Sequence, residues 1–140
     1  MDKANIRIAY FRLLRDYRLK PEQVIVNAGS AMVLLGLRDK TSDVDATTDE
    51  ATWFAVHLGD PDLHVRVIPR GVYSDDYTHL IECGGNVDLH FYSEGGRPET
   101  LMVDRVCVEH PSAILARKRY SNRDKDQDDI RKLEAWLRQQ

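Results

Sequence analysis

Three carboxylates and a glycine-serine turn are the residues of this chain best suited to chemistry. The run Val26-Asn27-Ala28-Gly29-Ser30 is followed, after twelve residues, by Asp43-Val44-Asp45. If Val44 lies in a strand, Asp43 and Asp45 project from the same face, because side chains alternate with period two. Two hard oxygen donors side by side suit Mg²⁺ or Mn²⁺. Gly29 lets a phosphate approach the backbone, and amides at a helix start favour an anion. A hard cation, carboxylates and a bound phosphate are the apparatus of phosphoryl transfer. The plainer alternative is a helix-capping Ser30 with two surface aspartates at a strand end.

The elements that must position these groups follow from apolar periodicity. Ile6, Ala9, Phe11, Leu13, Leu14 and Tyr17 predict an amphipathic helix over 3–19, ended by Pro21. Val24-Ile25-Val26 reads as a buried strand, Ala31 to Leu37 as a short helix capped by Ser30, and a second strand ends near Ala46. Asp49-Glu50 opens a helix to Leu58. His64 to Ile68 alternates as a strand. Thr78–Glu82 and Val87–Tyr92 flank Cys83-Gly84-Gly85-Asn86 as a hairpin. Val103 to Val108 reads as one short strand, Pro111 starts a helix, and a final helix runs on from Asn122. Within Val87–Tyr92, Asp88 and His90 share the face opposite Val87, Leu89 and Phe91. Asp88 is therefore the candidate third carboxylate, with Asp75, Asp76 and Glu82 behind it; a solvated sheet face is the competing account.

The composition is that of an ordinary globular α/β protein. The 140 residues, 42% of them hydrophobic, predict one domain over 1–140 with a real core. A net charge of −3 gives no global case for nucleic-acid binding, although Arg117, Lys118, Arg119 and Arg123 form a local basic patch. No run reaches the length of a membrane span, and Cys83 and Cys107 are too few for a disulfide framework, so a cytoplasmic setting without membrane association is expected. His79, Cys83 and His90 lack the paired spacing of a zinc site.

Ala28-Gly29-Ser30 with Asp43-Val44-Asp45 resembles the DNA polymerase β-like nucleotidyltransferases, and Gly36-Leu37-Arg38 with Thr41-Ser42 resembles their abortive-infection and toxin-type branch. Lys118, Arg123, Lys125, Asp126, Asp129 and Ile130 look like the Lys…Arg-x-Lys-Asp-x-x-Asp-Ile ending common there. On the terminal helix, Asp126 and Asp129 lie four residues before the apolar Ile130 and Leu133, which turns them inward and calls for a cationic partner in Lys118 or Arg123.

The resemblance implies a mixed β-sheet nucleotidyltransferase core with flanking helices and a short C-terminal helical tail. It implies transfer of a nucleoside monophosphate from an NTP to a hydroxyl of RNA (tRNA), protein or a small molecule, with Mg²⁺ or Mn²⁺ held by Asp43, Asp45 and Asp88. Gly29, Ser30, Arg38 and Lys118 are the implied nucleotide-binding residues; for Lys118 a structural ion pair is the equal alternative. The chain is short for that branch, which implies either a partner protein, as in a toxin–antitoxin pair, or a minimal enzyme. Two further readings stand beside it: a catalytically weak or inactive binding or regulatory protein on the same fold, and a phosphohydrolase, which would leave the glycine-serine spacing unexplained.

Overall fold

The computed structural model describes residues 1–69, 78–93 and 95–140. The candidates Asp75 and Asp76 lie outside them. One seven-stranded mixed sheet carries the fold, built from β1 (Ile25–Asn27), β2 (Val44–Asp49), β3 (Val65–Ile68), β4 (Thr78–Cys83), β5 (Val87–Tyr92), β6 (Thr100–Val103) and β7 (Val106–Glu109). Their spatial order is β3-β4-β5-β2-β1-β7-β6. The β2–β5 and β1–β7 pairs are parallel and the other four antiparallel. Five α-helices accompany the sheet among the described residues: α1 (Lys3–Tyr17), α2 (Ala28–Leu34), α3 (Glu50–Gly59), α4 (Pro111–Ser121) and α5 (Gln127–Arg138). None of them is long and apolar enough to cross a membrane.

Local chemistry explains most boundaries. Asp2 caps α1 by accepting from the Asn5 amide at 2.9 Å, and Asp49 caps α3 by accepting from the Thr52 amide at 2.7 Å. The first helix stops before Pro21: Arg18 turns left-handed at φ 55°, and the Leu19 amide bonds back to the Leu14 carbonyl. Pro21 instead opens a single 3₁₀ turn. Alternation along β2 (Val44, Ala46 and Thr48 buried; Asp45, Thr47 and Asp49 partly exposed) puts one face on the core. Buried Ile6, Tyr10 and Leu13 of α1, Met32 and Val33 of α2, Trp53 of α3 and Leu133 of α5 join that core with Leu89 and Val108. The Trp53 indole donates to the Leu89 carbonyl at 2.8 Å, which ties α3 to β5.

Two expectations need correction. The run 103–108 is not one strand but the inner part of a hairpin. Asp104 and Arg105 both take left-handed backbone, at φ 48° and 69°, and fold β6 onto β7. Such a pair makes the tight turn that fits strand twist. Ser30 also does not cap its helix. Asn27 occupies the cap position, and the helix begins at Ala28 with Ser30 inside it.

Candidate active site

Asp43 sits one residue before β2 and Asp45 is that strand's second residue. Buried Val44 and Ala46 face the core, so Asp45 projects from the opposite face. Strand β5 runs parallel beside it with Asp88 in register with Asp45. One carboxylate oxygen from each of Asp43, Asp45 and Asp88 lies within 4.8 Å of the others. This is the one metal-capable group of three such side chains among the described residues.

The cluster is short of positive charge. Burial and then the neighbouring Asp45 raise the Asp43 pKa, against a hydrogen bond with Asp88 and the charge of Arg66. Burial, Asp43 and Asp45 raise Asp88, against Arg66 and His90. Arg66 Nη2 stands 3.6 Å from Asp88 Oδ2, but its Nε is bonded to Glu82 Oε1 at 2.7 Å. His90 Nε2 lies 3.7 Å from Asp45 Oδ1. Three partly buried carboxylates, acceptors only when ionised, form an all-oxygen donor set that fits a small hard divalent cation.

The glycine-serine turn is bonded directly to this cluster. The Ser30 hydroxyl is buried; it donates to the Asn27 carbonyl at 2.9 Å and accepts from the Asp45 amide at 3.1 Å. Asn27 and Asp45 are register partners in β1 and β2, so Ser30 clamps the strand that carries the carboxylates. The left-handed residue of the turn is Ala28, at φ 52°. Gly29 leaves room for Arg38: a methyl group there would meet Arg38 Nη1 and displace the tip of that side chain, and would press on Thr41 Oγ1 at 3.3 Å.

Arg38 leads to the C-terminal helices. Its Nη2 bonds Asp129 Oδ2 at 2.5 Å, and Lys118 Nζ reaches the same oxygen at 3.1 Å and Asp126 Oδ1 at 3.5 Å. Arg123 Nε bonds Asp126 Oδ2 at 2.9 Å. Both aspartates are buried and Lys118 is mostly covered; Asp129 lies on α5 as its helical phase requires, whereas Asp126, expected on the same helix, sits in a 3₁₀ turn over Asp124–Asp126 just before it. The basic patch is thus paired throughout: Arg117 with the buried Glu109, and Arg119 with Glu134 at 3.8 Å.

Sequence reasoning passed over Arg66 and Glu109. Arg66 sits in an alternating strand, but only the β3–β4–β5 pairing carries it to Asp88. Glu109 ends β7, accepts from the Ala28 amide at 3.4 Å and supports the same turn from the other side. Its only sequence signal is a charged residue closing an apolar strand.

No family model matches the chain, and no curated protein matches it in sequence. Two solved structures share its fold. ANT(2″)-Ia, in complex with adenylyl-2″-tobramycin, aligns at a TM-score of 0.60 and 17% identity, over 96% of this chain and 90% of its own. A protein of Thermotoga maritima described as a candidate nucleotidyltransferase aligns at a TM-score of 0.52 and 18% identity, over 96% of each chain. The chain therefore has a nucleotidyltransferase-like fold.

Proposed function

We propose that this protein is a divalent-metal-dependent nucleotidyltransferase that moves a nucleoside monophosphate from an NTP to an acceptor hydroxyl and releases pyrophosphate. The observation that carries this reading is the convergence of Asp43, Asp45 and Asp88 within 4.8 Å, with the Asp45 amide bonded to the Ser30 hydroxyl of the glycine-serine turn. Asp43, Asp45 and Asp88 would hold Mg²⁺ or Mn²⁺, which supplies charge at the phosphoryl oxygens and makes a hydroxyl more acidic. The chain's own groups do the rest. The Asp88 carboxylate, in register beside Asp45, is suited to take the acceptor proton. The acceptor oxygen then bonds to the α-phosphorus while the bond to the bridging α–β oxygen breaks. Arg38 and Lys118 bind the departing phosphates beside the Gly29-Ser30 turn.

The acceptor belongs to the same proposal. The resemblance of the Gly36–Asp45 stretch and the 118–130 ending to the toxin-type branch supports a hydroxyl of RNA (tRNA) or protein, in a toxin–antitoxin or phage-defence setting with a partner protein. The adenylyl-2″-tobramycin held by the structural neighbour adds small-molecule hydroxyls to the classes to test.

The test is incubation with each radiolabelled NTP and Mg²⁺ against total RNA, cell lysate and a hydroxylated small-molecule panel. Label should move to one acceptor class with wild type and not with Asp45→Asn. Metal-dependent NTP binding without transfer to any acceptor would replace this reading with that of a binding or regulatory protein.

A further inference from the structure

We propose that Asp129 is a positioning residue for the nucleotide phosphates, and that it acts by gathering Arg38 and Lys118 at one point beside the Gly29 turn. The inference rests on the nucleotidyltransferase reading and adds a residue to it. One carboxylate oxygen, Asp129 Oδ2, takes both cations, Arg38 Nη2 at 2.5 Å and Lys118 Nζ at 3.1 Å. The Asp129 side chain is 8% exposed, whereas those of Arg38 and Lys118 keep 34% and 16% of their surface. The anchor is therefore buried while the cations it holds stay reachable from solvent.

Left to themselves, a guanidinium and an ammonium this close would separate, and each long side chain would sample many rotamers. The rest of the cluster removes that freedom. Asp126 grips Lys118 from a second side at 3.5 Å and is itself braced by Arg123 at 2.9 Å. The other guanidinium nitrogen of Arg38 occupies the space that a side chain at Gly29 would need. A chain of contacts thus runs from α5 through Asp129 and Arg38 to the turn bonded to Asp45. Burying charges is a poor way to add stability, since well-packed apolar residues often serve as well. Orientation of two reachable cations is what this arrangement supplies and an apolar contact could not.

Charge alone and positioning give opposite signs, which makes the proposal testable. Asp129→Asn raises the net charge near the phosphates by one. If Asp129 only dampened the cations, an anion would then bind more tightly. If it positions them, binding weakens despite the added positive charge. The experiment is titration of the full chain with Mg²⁺–ATP and, separately, inorganic tripolyphosphate, by calorimetry. Circular dichroism checks that each variant is folded at the assay temperature.

Asp129→Asn should weaken both ligands about tenfold or more. Asp128→Asn makes the same charge change one residue away, on an exposed side chain paired with Lys132, and should leave affinity within about twofold. Asp129→Glu keeps the charge and should recover part of the loss. Combining Asp129→Asn with Arg38→Gln should cost less than the sum of the two single losses, because part of the effect of Asp129 runs through Arg38. Unchanged or tighter binding in Asp129→Asn, or full additivity in the double variant, overturns the positioning role and leaves the enzyme reading standing. Wild type that binds neither ligand overturns the enzyme reading itself.

Discussion

Without a divalent cation, Asp88 should be a burden on the fold, and replacing it with the isosteric Asn should stabilise the protein. Its carboxylate lies within 4.8 Å of oxygens from both Asp43 and Asp45. At 4.8 Å, two unit charges repel by about 0.9 kcal/mol in a water-like medium and about 3.5 kcal/mol at an effective dielectric of ~20. Arg66, 3.6 Å away, half exposed and shared with Glu82, returns part of that. The balance, after solvent screening, is a gain of about 0.5 to 2 kcal/mol for Asp88→Asn in chelator, or roughly 4 °C in Tm per kcal/mol at this chain length. Mg²⁺ should reverse the order. A ligand at ten times its Kd stabilises by about 1.4 kcal/mol, and the variant should lose most of that increment. Thermal melts followed by circular dichroism, with and without Mg²⁺, read both effects. Lower Tm of Asp88→Asn in chelator, with the Mg²⁺ increment intact, would refute the reasoning and make Asp88 a structural residue.

Three further outcomes are expected. Asp45→Asn should abolish Mg²⁺ binding, read by calorimetry, while unfolding no more easily than wild type in chelator; a collapse in stability would give Asp45 a structural role. Gly29→Ala should fold, because the clash falls on the movable tip of Arg38, yet bind Mg²⁺–ATP about tenfold more weakly, a loss of about 1.4 kcal/mol. The third concerns Asp126: burial opposes its ionisation, but hydrogen bonds from Arg123 and Ser121 and the charge of Lys118 hold its carboxyl well below 3.8. A folded pKa below the unfolded one contributes stability that is present above the unfolded value and lost as pH falls through the folded one. Wild type should therefore lose stability below pH 3.8, whereas Asp126→Asn should be less stable at neutral pH by about 2 kcal/mol and lose less stability across that acid window, by urea unfolding at each pH.

Much of the site was legible because it obeys short-range periodicity. Two-residue alternation puts Asp88 and His90 opposite Val87 and Leu89, and the buried faces of β2 and β5 agree. Four-residue spacing turns Asp129 inward beside Leu133, and both are buried; Asp126 is buried too, but in the 3₁₀ turn before α5, where Ser121 and Arg123 hold it. The glycine and asparagine left-handed at 85 and 86 mark the β4–β5 hairpin in the sequence as they do in the fold. What escaped depended on conformation that residue type does not announce. Ala28 adopts φ 52°, which starts α2 three residues early and moves Ser30 from the cap into the helix. Asp104 and Arg105 turn a chain with neither Asn nor Gly at the tip, so the β6–β7 hairpin reads as one strand. Arg66 and Glu109 gain their meaning from strand neighbours far away in sequence.

The distribution of charge shows where a chain of net charge −3 would, under the proposed function, receive a metal-bound polyanion. Around α4, Arg117, Lys118, Arg119 and Arg123 are each matched to a carboxylate, and three of those carboxylates, Glu109, Asp126 and Asp129, are buried. That end of the molecule is preorganised and bears little uncompensated charge. At the β2–β5 pair the proportions invert, with three carboxylates and Glu82 sharing the guanidinium of Arg66. The deficit of positive charge is therefore gathered where a divalent cation would be most useful. Ser30 makes the two regions mechanically one. Its hydroxyl bonds the Asp45 amide, and the residue before it lies under Arg38, so any shift of the turn is felt at the carboxylates and at the cations together. A glycine followed by a small hydroxyl residue serves this arrangement because one leaves room for the guanidinium and the other reaches back to the neighbouring strand.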